Sequence, residues 1–307
     1  MILIIYVCPK CGRPHSLEEF NESYFCRHCE TFLTYGNRRV LEEDKRNAIA
    51  RTSIEKTYES IRKYVPRGNL IDSLEVVKQV EEYRQFWKPE KTNVVLLAES
   101  HVYTDEKDIR IKCESSILDE ILLPENPDYP VNFVRFVYCL GYGENDVLTK
   151  RIDKNDMGTW QFWKIFSSCV AENESDLGFH RVLKTKTRSF ISRLHNKIDV
   201  LRKMKEKGVW LLDASIVGLA GSGIKDYPDT YERIIGICWD NHLKKVIENA
   251  QPKHIIVIGI DVEKTLHFEL RKLKIDLTTI DAPQRHLKRQ RQQENYKKYQ
   301  RICARYC

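Results

Sequence analysis

Five short apolar runs punctuate the middle of the chain: Val94–Ala98, Phe133–Leu140, Val209–Leu212, Ile255–Ile260 and Leu277–Ile280. Runs of this length, bounded by turn-forming or charged residues, suit strands buried on both faces of a parallel sheet. Longer amphipathic stretches such as Tyr231–Asn249 lie between them and suit the crossovers that parallel strands require. The pattern predicts an α/β domain over residues 91–284, a three-layer α/β/α sandwich around a mostly parallel central sheet. Upstream, Ile49, Ile54, Tyr58 and Ile61 recur at helical spacing, Pro66-Arg67-Gly68 interrupts them, and Ile71–Trp87 resumes the helical pattern. Residues 41–90 therefore read as a helical connector packed on the main domain.

Residues 1–40 follow a different logic. Cys8-Pro9-Lys10-Cys11 and Cys26-Arg27-His28-Cys29 are two CxxC knuckles fourteen residues apart. Four thiolates at this spacing satisfy one tetrahedral structural zinc ion and leave no open position for catalysis. The expectation is an N-terminal zinc ribbon with Cys8, Cys11, Cys26 and Cys29 as ligands and Zn2+ as its one cofactor. Met1–Val7 is apolar but has neither a basic flank nor a small-residue cleavage site, so it reads as a first strand and not a signal peptide. No apolar run approaches the ~20 residues of a membrane helix. The remaining six cysteines show no framework spacing, which fits buried thiols in a reducing compartment, and the expected location is cytoplasmic.

Charge changes the picture more than composition does. The chain has 307 residues and a formal charge of +7, and 42% hydrophobic residues are enough to build a core. The segment Gln284–Cys307 holds eight Lys/Arg against Glu294 alone, which equals the whole net charge. A second block, Arg181–Lys207, holds ten Lys/Arg against Asp199 and Glu206. Concentrated basic segments on an otherwise balanced chain point to a polyanion, although solvated helix faces carry similar charge. Tyr296, Tyr299 and Tyr306 interleave the charges of the 285–307 tail, where they either stack on bases or pack an amphipathic helix.

In parallel α/β sheets the site lies at the carboxyl ends of the strands. Here those ends carry Glu99-Ser100-His101-Val102-Tyr103, Gly141-Tyr142-Gly143-Glu144, Asp213-Ala214-Ser215, Gly259-Ile260-Asp261 and Asp281-Ala282-Pro283-Gln284-Arg285-His286. No GxGxxG and no Walker lysine is present, which argues against dinucleotide or triphosphate binding. Taken in order, these segments resemble the uracil-DNA glycosylase superfamily over roughly Asn93 to His286. Gly208-Val209-Trp210-Leu211-Leu212-Asp213-Ala214 is similar to the family's G-V-L-L-L-N-A strand, whose Asn reads the flipped base. Val94–Tyr103 is similar to the strand that runs into G-Q-D-P-Y-H or G-E-A-P-G. Trp160–Phe166 sits where the family has its base-stacking aromatic, Pro252–Leu266 resembles its penultimate strand and helix, and Asp281–His286 its H-P-S loop.

The resemblance implies a monofunctional DNA glycosylase that flips a base and hydrolyses its N-glycosidic bond. It implies catalytic roles for Glu99, Ser100 and His101. Glu99 matches the Glu of the G-E-A-P-G branch, whereas Ser100 stands where founding members have an Asp. It also implies base contacts from Asp213, Tyr103, Tyr142 and one of Phe162, Trp163 and Phe166, although the i, i+1, i+4 spacing of the last three suits a core equally. The last-motif loop and the two basic segments are expected to bind DNA through Pro283, Arg285, His286, Lys288, Arg289, Arg188 and Arg193, and Lys10, Arg13 and Arg27 are candidate phosphate contacts on the ribbon. No strand-end lysine offers itself as a Schiff-base nucleophile.

The departure at Asp213 carries chemical information. An Asn amide donates to uracil O4 and accepts from N3–H, whereas cytosine presents an N4 donor and an N3 acceptor. A carboxylate accepts from N4–H and, if protonated, donates to N3. An Asp at a strand end also serves as a helix cap or as an ion pair at the core edge. Excision of plain cytosine would destroy the host genome, so the expected substrate is a modified cytosine. Superfamily members in antiphage defence remove such bases, glucosylated hydroxymethylcytosine among them. The expected partner is double-stranded DNA, including modified phage DNA, with no membrane and a monomeric chain. Three other readings stay open: a uracil-excising repair glycosylase, a non-catalytic zinc-ribbon nucleic-acid binder, and a nuclease using Glu99, Asp213 and Asp281 as metal ligands.

Overall fold

The computed structural model describes residues 4–8, 10, 14–16, 26, 38–40, 53–66, 68–122, 129–153, 158–284 and 287–307. Its contacts divide the chain into two units, Met1–Ser53 and Ile54–Cys307. In the first, β1 (Ile4–Val7) pairs antiparallel with β2 (Pro14–Ser16) and with β3 (Arg38–Val40), which places β1 at the centre. Met1–Val7 was expected to begin a strand, and β1 occupies its second half. Cys8 follows β1 directly and is buried, as is Cys26. Cys11 and Cys29, with Arg13 and Arg27, lie outside the described residues.

The second unit has an α/β core. The strands β4 (Val94–Ala98), β5 (Val209–Asp213), β6 (His254–Ile258) and β7 (Asp276–Ile280) form one sheet in the order β5-β4-β6-β7, every pair parallel. All residues of β4, β5 and β6 are buried, which accounts for their uninterrupted apolar runs. Successive side chains take opposite faces. Val94, Leu96, Val209, Leu211, Ile256 and Ile258 join one core cluster, and Val95, Leu97, Trp210, Leu212, Ile255 and Val257 join the other.

Helices cover both faces. The first cluster receives α2 (Leu74–Phe86), α3 (Ser115–Leu122), α4 (Trp160–Val170), the short α5 (Phe179–Val182), α6 (Phe190–Lys207) and α10 (Arg289–Tyr306). The second receives α1 (residues 53–62), α7 (Pro228–Cys238), a π turn at Trp239–Leu243 that leads into α8 (Lys244–Ala250), and α9 (Ile260–Lys272). Gly208 ends α6 with φ 75°, and a Cβ there would lie 2.5 Å from the Lys91 carbonyl oxygen. That close approach lets Asn93 N–H donate to the Gly208 carbonyl and sets β4 beside β5.

One expectation is corrected here, and one open alternative is decided. Phe133–Leu140 is not a strand but a series of turns, with bonds such as Cys139 N–H to the Phe136 carbonyl. Its apolar side chains wedge into the first core cluster, and Tyr138 Oη accepts from Leu211 N–H on the outer edge of β5, 3.0 Å away. The edge amide is thus satisfied without a fifth strand. The basic tail is the 18-residue helix α10, anchored through Tyr296, Tyr299 and Cys303. These two tyrosines are core residues, and neither is available to stack on a base.

Candidate active site

The chain runs from β4 to β5 on one side of the sheet, then crosses back to β6 and β7 on the other. The crevice beyond β4 and β6 is therefore the switch point, where open α/β sheets bind ligands. A cavity of about 600 Å³ opens there. Its lining includes Ala98 to Val102 after β4, Asp213 at the end of β5, Ile258 to Val262 after β6, and Ala282 and Gln284 after β7. Arg135 and Phe136 from the turn segment, Thr159, Phe162 from α4, and Lys225 also line it.

The floor is a chain of buried charges. Arg84 on α2 donates from Nη1 to Glu81 and from Nη2 to Asp213 Oδ2 at 2.9 Å. His101 Nε2 lies 3.1 Å from Asp72 Oδ2, and its Nδ1 is 3.7 Å from Asp213 Oδ2. Burial alone would favour a neutral imidazole, but Asp72 and Asp213 outweigh it and raise the His101 pKa to about 9. His101 is accordingly an imidazolium at neutral pH. Asp72 is itself fixed, since Oδ1 accepts from Thr104 N–H at 2.8 Å and Oδ2 from Gly218 N–H. A Cβ at Gly218 would lie 2.5 Å from Tyr103 N, so only glycine allows this approach. His101 Nδ1 and Arg84 Nε remain buried without a hydrogen-bond partner.

At the mouth, Glu99 accepts from Tyr231 Oη at 3.1 Å and pairs with Lys225 Nζ at 2.6 Å. Glu99 also pushes the Tyr231 hydroxyl upward, adding to the larger effect of burial. Ser100 Oγ donates to the His101 carbonyl and accepts from Leu219 N–H, so it shapes the loop. Arg135 is steadied by Asp108 at 3.2 Å.

The structure gathers Glu99, Ser100, His101 and Asp213 from strand ends, and Phe162 from α4, around one cavity. Asp213 is not a helix cap; it is an ion pair at the core edge that still faces the cavity. Tyr103 is outside the lining, held by its backbone to the Ala220 carbonyl. Tyr142 and the buried Trp163 line a second cavity instead. Arg193 is a correction: it is buried, donates to both oxygens of Glu144 and to the carbonyls of Thr187 and Arg188, and has no face for phosphate. Arg188, Lys288 and Arg289 are exposed, Pro283 is half-buried, and Arg285 and His286 lie outside the described residues.

Sequence reasoning missed Asp72, Arg84, Arg135, Lys225 and Tyr231. One signal was available for Arg84: with Glu81 it falls on the apolar stripe of α2 that also carries Val77 and Val80, where a charge needs a buried partner. No family model matches this chain, and no curated protein matches it.

Proposed function

We propose that the chain is a monofunctional DNA glycosylase acting on a modified cytosine. The observation that carries the reading is the cavity floor, where Asp213, fixed by Arg84, stands 3.7 Å from the His101 ring at the switch point. Arg84 holds Asp213 as an acceptor, which suits the N4–H of a cytosine-type base and opposes the carbonyl O4 of uracil. Phe162 supplies an aromatic wall for the flipped ring. As the N-glycosidic bond breaks, the electron pair leaves with the base and positive charge grows on the sugar. The His101 cation stabilises the first and the Glu99 carboxylate the second. Water adds at the sugar carbon and gives its proton to Glu99, leaving an abasic site and the free base.

The nuclease reading has less support, because arginines already hold two of its three carboxylates: Arg84 holds Asp213 and Arg291 holds Asp281. Lys225 enters the cavity from a 3-10 turn, not a strand end, and its ammonium is engaged by Glu99. Zinc at Cys8, Cys11, Cys26 and Cys29 is part of the proposal. Burial of both described thiols beside a three-stranded antiparallel sheet fits a structural site. Antiviral defence in the cytoplasm is the setting in which removal of a base foreign to the host is useful.

The test is base release from duplex DNA carrying glucosylated hydroxymethylcytosine, plain cytosine or uracil. Abasic sites should form on the first alone, and Glu99→Ala and Asp213→Asn should abolish them while DNA binding persists. Equal or absent release on all three DNAs would refute the reading. A protein–DNA adduct trapped by borohydride would replace the water mechanism with a lysine one.

A further inference from the structure

A second cavity of about 410 Å³ lies on the other side of Thr159, which lines both. Its walls are apolar and aromatic, with Tyr142, Trp160, Trp163, Val182 and Leu183, and four lysines surround them: Lys164, Lys184, Lys186 and Lys197. The volume falls in the ~300–1,000 Å³ range of small-molecule sites. Glu144 is the acid of the lining, and its oxygens are already taken by Arg193 and Lys197. The positive charge around the cavity is therefore in excess. Lys164 has no carboxylate partner among the described residues; its Nζ sits over the rings of Trp160, Phe179 and Tyr296, 4.7, 5.4 and 5.6 Å from their centroids. Lys186 is exposed at the rim.

An aromatic slot with surplus cations matches an aromatic ring that bears a phosphate. From this juxtaposition we infer that the second cavity binds the base and phosphate of the nucleotide that neighbours the flipped one in a DNA strand. With Thr159 shared by their linings, the two cavities would take successive nucleotides of one strand, and this part of the inference rests on the glycosylase reading. Trp160 offers a stacking surface, Lys164 and Lys186 hold the phosphate, and Glu144 with Arg193 and Lys197 forms the fixed base of the site.

The test measures binding of a fluorescent single-stranded thymidine hexanucleotide, and of thymidine monophosphate, to the whole chain, Trp160→Ala and Lys186→Ala. Stacking by one base is worth ~1–3 kcal/mol, so Trp160→Ala should weaken hexanucleotide binding by roughly 5- to 150-fold. Lys186→Ala should lower the slope of log affinity against log salt by ~0.7, one single-strand phosphate. Hexanucleotide binding that is unchanged in both variants would overturn the inference. If the monophosphate alone binds, and Trp160→Ala removes it, the placement of the slot along a DNA strand is overturned, while base release from duplex DNA decides the glycosylase reading separately. If neither probe binds, the inference is overturned.

Discussion

Two buried charge clusters of opposite sign lie within the same α/β unit, and they differ in how completely their groups are satisfied. Around Glu144, Arg193 uses four of its N–H donors, Lys197 adds a bond at 2.8 Å, and both carboxylate oxygens are engaged. Around Asp213, His101 Nδ1 and Arg84 Nε have no hydrogen-bond partner, and the His101 ring is held between two carboxylates at the wall of the larger cavity. A closed network fixes loops, whereas an open one keeps hydrogen-bonding capacity that water or a ligand can use. The contrast separates structure from chemistry where charge alone does not.

The closed cluster should give the largest effect on stability. Arg193→Ala leaves Glu144 buried with Lys197 and frees the carbonyls of Thr187 and Arg188. Removal of one partner of a buried pair costs about 3–5 kcal/mol, which urea denaturation would register as a shift in midpoint. A loss below about 1 kcal/mol would show that the cluster is not as closed as its geometry indicates.

The two clusters should also fail at opposite ends of the pH scale. His101 has a folded pKa of about 9 against an ordinary 6.5. Its contribution is complete below pH 6.5 and is lost as pH rises through 9, on the order of 3 kcal/mol in all. Glu144 opposes burial with hydrogen bonds and charge from Arg193 and Lys197, and its pKa falls below the ordinary value. Its contribution is present above pH 4.5 and is lost as pH drops through the lowered folded value. Asp72→Asn should flatten the fall between pH 6.5 and 9 and leave the acid limb intact. Subtracting the variant's pH profile from wild type isolates His101 from the buried thiols Cys113 and Cys139. An unaltered alkaline limb would disprove the Asp72–His101 pairing.

Much of the sheet was legible because β4, β5 and β6 bury both faces and leave uninterrupted apolar runs. Phe133–Leu140 has the same apolar character, but tertiary packing overrides it: its side chains fill the core while its backbone bonds within turns and to scattered partners such as the Ile111 carbonyl and Val102 N–H, not to a neighbouring strand. The site was legible where it follows a strand, at Glu99, His101 and Asp213. Asp72 and Arg84 were not, because they come from the segment read as a connector and reach the floor only when α2 packs on the sheet. Their pairings with His101 and Asp213 span 29 and 129 residues, and no local spacing encodes them.

The smallest effect comes from the same basic block that yields the largest. Arg188 and Arg193 are five residues apart, yet Arg193 faces the core while Arg188 is exposed and gives only its backbone carbonyl to Arg193. Arg188→Ala keeps that carbonyl and opens no cavity, so its effect on stability should stay within ~0.5 kcal/mol. If Arg188 meets a phosphate, the same change should reduce the salt slope of duplex binding by about 0.9 and weaken all sequences alike. Urea denaturation and a salt titration of duplex affinity on one protein preparation measure both quantities. An unchanged salt slope would remove Arg188 from the proposed DNA-binding face and leave it a solvated surface charge.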